Sequence, residues 1–258
     1  MGIPMTKTLI MTTVINMSLS NRNDVHNDTH NDSGLDRSAS MLALLHLSSP
    51  ALPVGAFAYS QGLEYALDIG WCKNREDVHA WILENLQFGL GQLDLPIYIR
   101  MYHGWQTSNA ENIQYWNDTL LAFRETKELY LEDTQVGSAY VQWHLGQDAE
   151  RQAQLDLCSK PTVVAMSALA AVLTNIDLPH ALLGFVWSWA ENQITCASKA
   201  MPMGQTDAQK ILQGLIPEIA KVCEQALLIK DDEIGTGLFG TAMASALHEQ
   251  QYSRLFRS

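Results

Sequence analysis

The chain has 258 residues, with 16 Lys+Arg against 28 Asp+Glu and a formal net charge of −12. That balance argues against a nucleic-acid-binding face, which depends on clustered basic charge. With 47% hydrophobic and 17% charged residues the composition is that of a core-forming chain, not a disordered one. No stretch reaches the ~18 uninterrupted apolar residues of a membrane span.

Residues 1–40 read as a disordered N-terminal extension. From Ser20 to Ser40 the chain is mostly Asn, Asp, His and Ser, and only Val25, Leu35 and Ala39 are apolar. Such a segment buries too little surface to offset the entropy of ordering it. Leu9–Leu19 is mildly apolar behind Lys7, but Thr12, Thr13, Asn16 and Ser18 break it and no clear small-residue cleavage site follows. A secretory leader is therefore not expected. His26 and His30 would share a helix face suited to a metal, yet the surrounding Asn and Asp compete for the backbone and oppose a helix.

From Met41 to Ile234 the dominant period is that of a helix. Asn74 before Asp77 reads as an N-cap, followed by a stripe of Val78, Trp81, Ile82, Leu86 and Gly89. Asp94 with Pro96 opens a second helix toward Met101. Asn109 starts a third, carrying Ile113, Trp116, Leu120, Phe123 and Leu131. Pro161 precedes a run from Val163 to Leu173 that is apolar all round, as central core helices are. Pro179 opens the next helix, through Trp187 and Trp189 to Ala200. Leu212, Leu215, Ile219, Cys223, Ala226 and Leu227 form another stripe, with Pro217 inside it. Alternating strand patterns and hairpin dipeptides are missing. The expected fold class is all-α: a single bundle-like domain of roughly eight to ten helices.

Catalytic templates fail one after another. Gly235-Thr-Gly-Leu-Phe-Gly240 satisfies GxGxxG but lacks the strand and distant acid of a dinucleotide site, and reads as a flexible connector. No phosphate loop is present, so neither GTP nor ATP is expected to bind. His248-Glu249 begins an HExxH pattern that Tyr252 interrupts, and no GxSxG elbow exists. Cys72, Cys158, Cys196 and Cys223 form no CxxC pair and read as buried thiols of a reduced, cytoplasmic protein. No catalytic, cofactor or metal residue is assigned. A helical metal carrier using His103, His144, His180 or His248 is the alternative reading, although no two of these four histidines share an i, i+4 spacing.

Four segments carry a specific resemblance. LLHLSSPALPVGAFAYSQGLEYAL (Leu44 to Leu67), FRETKELYLEDTQVG (Phe123 to Gly137), SKAMPMGQTDAQKIL (Ser198 to Leu212) and HEQQYSRLFRS (His248 to Ser258) resemble, in order, the urease accessory protein UreF family. Ala208, Ala242 and Leu247 depart from that family's pattern. The resemblance implies an all-helical, non-enzymatic protein that bridges the accessory protein UreD (UreH) and the GTPase UreG. That assembly installs nickel in the urease apoprotein, and the chain is implied to be a homodimer within it.

Tyr59, Gln61, Glu64, Lys199, Gln205, His248, Tyr252, Arg254, Leu255, Phe256 and Arg257 are the expected partner-interface residues. The residues themselves leave alternatives open. Gly55 to Gly62 reads either as a turn packed into the core or as a binding surface, since Tyr and Phe dominate hot spots. Glu64 must be paired or exposed, and Lys199 is one candidate partner. Arg124, Glu125, Lys127, Glu128, Glu132 and Asp133 read as a solvated helical face or a UreG dock. Residues 235–258 are expected to form a flexible connector and a partner-binding segment. If helical, that segment would align Tyr252, Leu255 and Phe256 and order in a groove on UreD. Packing of the aromatics back on the body is the alternative.

Overall fold

The computed structural model describes residues 32–235 and 237–258, with side chains from Arg37 onward. His26 and His30 lie outside the described residues. Eleven α-helices occur among those described: α1 (Asp32–Leu47), α2 (Leu63–Asp68), α3 (Arg75–Glu84), α4 (Asp94–Gln106), α5 (Ala110–Ala122), α6 (Lys127–Gln147), α7 (Gln152–Leu155), α8 (Val163–Leu173), α9 (Leu178–Ala200), α10 (Gln205–Ala226) and α11 (Phe239–His248). The all-α expectation holds, and no strand is present among the described residues. The expected tail boundary at residue 40 falls inside α1, whose helix starts at Asp32.

Local chemistry starts five of these helices. The side chains of Asn74, Asn109, Thr126, Thr162 and Asp177 each accept a first-turn N–H of α3, α5, α6, α8 and α9, which satisfies donors that the helix itself leaves free. Pro161 stands just ahead of the Thr162 cap, and Pro179 occupies the first turn of α9. Pro217 lies within α10 without ending it.

The centre of the body is α4 against α8. Tyr98, Tyr102 and Trp105 recur at i, i+4 and i+7 on α4 and are all buried. Each anchors its polar tip on a carbonyl at or beyond α8: Tyr98 Oη to Ser167 O at 3.2 Å, Tyr102 Oη to Ile176 O at 2.8 Å and Trp105 Nε1 to Ala165 O at 2.8 Å. Buried aromatics need such partners. Helix α6 closes on α8 through Gly137, where an added Cβ would fall 1.9 Å from Pro161 O.

Two stretches depart from the helical period. Asn85–Leu90 forms a π turn, with Gly91 N donating to Leu86 O at 2.9 Å. The extra residue rotates the register, so Leu90 is buried while Gly89 is only partly so. Phe123 ends α5 as its C-cap, and Leu131 lies on the exposed side of α6. Neither extends the Ile113–Leu120 stripe.

Candidate functional site: a C-terminal strap on a buried charge cluster

Helix α6 carries the chemistry of the site. Its buried stripe runs Glu128, Glu132, Val136, Tyr140 and His144 at successive i+4 steps, with Asp133 beside it. The charged stretch is therefore divided: Glu125 and Lys127 are exposed, whereas Glu128, Glu132 and Asp133 do not lie on the solvated face the sequence suggested. Those three acids point inward, and Thr126, the N-cap, hydrogen-bonds Ser245 of α11 at 2.7 Å.

Arg124 satisfies the first group of acids. Its guanidinium pairs with Asp94 and Asp133, and Asp133 Oδ1 also accepts the Val163 N–H at the start of α8 at 3.1 Å. Burial opposes the Arg124 charge, but Asp133 and Asp94 outweigh it and hold the pKa above its ordinary value. Burial raises the Asp133 carboxyl, partly offset by Arg124.

The second group is built around residues after α11. Ser253–Ser258 is not helical; it runs as an irregular strap over α2 and the turn before it. Glu64 Oε1 accepts the Leu255 N–H at 2.7 Å and its Oε2 accepts the Phe256 N–H at 2.9 Å. Further on, Arg257 N donates to Ala58 O at 2.8 Å and Ser60 N to Ser258 O at 2.8 Å. His248, fully buried, sits between two carboxylates, with Nε2 3.0 Å from Glu64 Oε2 and Nδ1 2.8 Å from Glu128 Oε2. Arg254 Nη1 reaches Glu128 Oε1 at 2.9 Å. Ser258 Oγ donates to Glu132 Oε2 at 3.1 Å, and Gln61 Nε2 donates to Glu132 Oε1 at 2.8 Å. Trp189 Nε1 in turn donates to Gln61 Oε1 at 2.8 Å.

Burial pushes the Glu132 carboxyl up to about 7, despite the Gln61 bond. Burial also raises Glu128, with His248 and Arg254 pulling against it. A cavity of about 240 Å³ adjoins this cluster, and Gln61, Glu132 and Asp133 form part of its wall. Helix α2 can approach α11 this closely because Gly62 has φ +81° and no Cβ, which would otherwise lie 3.0 Å from Ala244 Cβ and Ser245 N.

Several expectations need correction here. Glu64 is paired with His248 and the strap, not with Lys199, whose Nζ lies 5.7 Å over the Phe256 ring. The expected helix through Tyr252, Leu255 and Phe256 does not form: Phe256 is buried, whereas Tyr252 is fully exposed and Leu255 is 66% exposed. The strap is packed on the body, not free of it, and α11 occupies part of what was read as a connector. In this conformation Tyr59, Glu64, His248 and Phe256 are interior, and Gln61 is half-buried. Tyr252, Arg254, Leu255 and Arg257 are exposed, as are Lys199 and Gln205. Gln205 opens α10 and makes no hydrogen bond to the cluster among the described residues. Phe57, 59% exposed, is the outward member of the Gly55–Gly62 turn; Tyr59 instead bonds Gln135 at 2.8 Å.

The four cysteines are free and buried. Burial raises Cys72 to about 11 and Cys158, Cys196 and Cys223 to about 12, which makes them poor nucleophiles. His103 and His180 are exposed on different helices, and His144 is buried against Met166 O at 3.2 Å. These histidines do not converge with His248. Among the described residues no group of three or more His, Cys, Asp or Glu could hold a metal ion, and no helix is long and apolar enough to cross a membrane.

The UreF family model matches residues 72–216. The chain belongs to the UreF family. Urease accessory protein UreF of Teredinibacter turnerae is 47% identical over 218 residues, 84% of this chain and 98% of its own length. That of Hahella chejuensis is 45% identical over 220 residues, 85% and 98% of the two chains. The Chromohalobacter salexigens protein is 42% identical over 219 residues, 85% and 95%.

Proposed function

We propose that this chain is a non-catalytic scaffold in urease maturation, bridging UreD and UreG so that nickel reaches the urease apoprotein. Membership of a family of urease accessory proteins supports that role. In this reading it acts in the cytoplasm as a homodimer within the complex, and GTP turnover belongs to UreG. The observation that carries the docking assignment is the outer face of the strap. Leu255 stands in solvent beside Arg254 and Arg257, with Tyr252 exposed just ahead of the strap, while backbone bonds to Glu64 and Ala58 hold the main chain of Leu255, Phe256 and Arg257. A pre-ordered apolar and cationic patch costs little further entropy on binding, and aromatic and Arg anchors dominate hot spots. Here they stand on a protein of net charge −12.

Exchanging exposed side chains tests the assignment without touching the clamp. Tyr252→Ala with Leu255→Asp is expected to abolish capture of UreD and urease activation, with an unchanged melting temperature. Full UreD capture by that variant would refute the strap as the dock. The purified chain, free of UreG, is expected to show no GTP turnover in a phosphate-release assay.

A further inference from the structure

A chain that bridges two proteins needs two separate docking faces, and the strap supplies one. Helix α11 leads to it from another exposed joint, about 15 Å away at the helix's first turn. There α11 meets the π turn Asn85–Leu90: Thr241 Oγ1 donates to Asn85 Oδ1 at 2.8 Å. Gly89 lies so near Leu238 that an added Cβ would stand 3.0 Å from its Cδ1. Phe88 precedes Gly89 and Phe239 follows Leu238, so two aromatic residues flank the joint. They are 54% and 78% exposed. A scattered surface hydrophobe needs no explanation, but grouped ones mark interaction sites. A π turn, which interrupts the helical ladder, is also found most often at functional positions.

The charge around the joint selects the partner. An added Cβ at Gly237 would lie 3.9 Å from Glu125 Oε1, so that carboxylate stands beside the start of α11. Asp231, Asp232 and Glu233 form the turn just ahead of Ile234, and Glu84 sits one helical turn before Phe88. Asp231 pairs with Arg100 at 2.7 Å, and Glu233 lies 4.0 Å from Lys230. Glu84, Glu125 and Asp232 are exposed and have no ion pair among the described residues; the one unpaired cation beside them is Lys127. The strap has the opposite sign outermost, in Arg254 and Arg257.

We propose that Phe88 and Phe239 form a second docking surface, which takes a partner segment of apolar side chains flanked by Lys or Arg. The identity of that partner rests on the proposed bridging role: with UreD on the strap, the occupant here is a basic segment of UreG. Aromatic anchors dominate hot spots. Unpaired acids speed the approach of a basic partner and oppose an acidic one. Opposite signs at the two ends of α11 keep the partners from exchanging places.

Capture of purified UreG on a preassembled complex of this chain with UreD tests the surface. Phe88→Ala with Phe239→Ala is expected to weaken UreG capture on the order of tenfold or more, with UreD capture and the melting temperature unchanged. Glu125→Lys with Asp232→Lys is expected to slow UreG association, as is raised salt on the wild type. One arm needs no variant: adding UreG should slow hydrogen–deuterium exchange in peptides covering 84–92 and 237–243 and leave α4 unchanged. UreG affinity that survives loss of both aromatics overturns the proposal, as does exchange in those peptides that ignores UreG. Association that charge reversal leaves untouched overturns the basic character of the partner segment. A wild-type complex that captures no UreG removes the bridging role and this surface with it, whereas normal capture by the Phe88–Phe239 variant removes the surface alone.

Discussion

Glu64 is the residue on which the C-terminal architecture converges. It accepts two backbone N–H groups and faces one imidazole nitrogen while only 5% exposed. Glu64→Ala would leave those donors buried without acceptors, and breaking such a network by removing one partner costs about 3–5 kcal/mol. A fall of that size in the unfolding free energy from urea denaturation is expected, with helix content by circular dichroism retained at low denaturant. Glu132 gives the opposite sign. Its carboxyl, raised to about 7, supports folding fully below the unfolded value and loses that support as pH rises through 7. Glu132→Gln should therefore stabilise the protein at pH 8 by on the order of 1–3 kcal/mol and change little at pH 5. Melting curves at the two pH values check this.

Two glycines at helix–helix contacts give a matched pair of tests. At Gly137 the obstacle to a side chain is backbone, Pro161 O, 1.9 Å from an added Cβ. Gly137→Ala must push α6 away from α8, and overpacking of this kind costs about 3 kcal/mol or more. Gly184 of α9 meets instead the end of Leu44, 2.5 Å away, and Ser48 Oγ at 2.7 Å. Those are side chains of or beside α1 that can turn aside. Gly184→Ala should cost roughly 1 kcal/mol, at the low end of the overpacking range, and act mainly on α1. Thermal melts of both variants, with exchange protection of α1, distinguish the two. Equal losses would contradict the assignment of α6–α8 as the tighter joint.

The whole molecule can be cut at either end. Deleting residues 1–31 is expected to leave the melting temperature unchanged, because their composition offers little surface to bury. Deletion through Leu47 should lower it, since Leu44 and Leu47 pack against the core. Deleting Gln250–Ser258 should also lower it, because the cut strips Glu64 and Glu132 of strap donors and uncovers the surface under Phe256. A melt on each truncation checks these outcomes. An unchanged melting temperature after the C-terminal cut would mean the strap adds nothing to the fold.

The sequence by itself determined the helices, because periodicity, caps and prolines act over a few residues. Asn74, Asn109 and Asp77 could be read where they stand, and the apolar run of α8 announced a core helix. The family was legible for the same reason, as four contiguous motifs. What only the tertiary structure decided is how distant charges meet. Glu64 and His248 lie 184 positions apart, and no local pattern pairs them. A trace of the α6 result was present: Glu128 and Glu132 continue at i+4 into Val136 and Tyr140, which marks them as inward. Helical spacing places residues on one face, but it does not say whether that face meets solvent or another helix. The strap's conformation is a tertiary result too. A short segment forms a helix or an irregular clasp according to the acceptors it meets, and here those are Glu64 and Ala58, set by α2 and the turn before it.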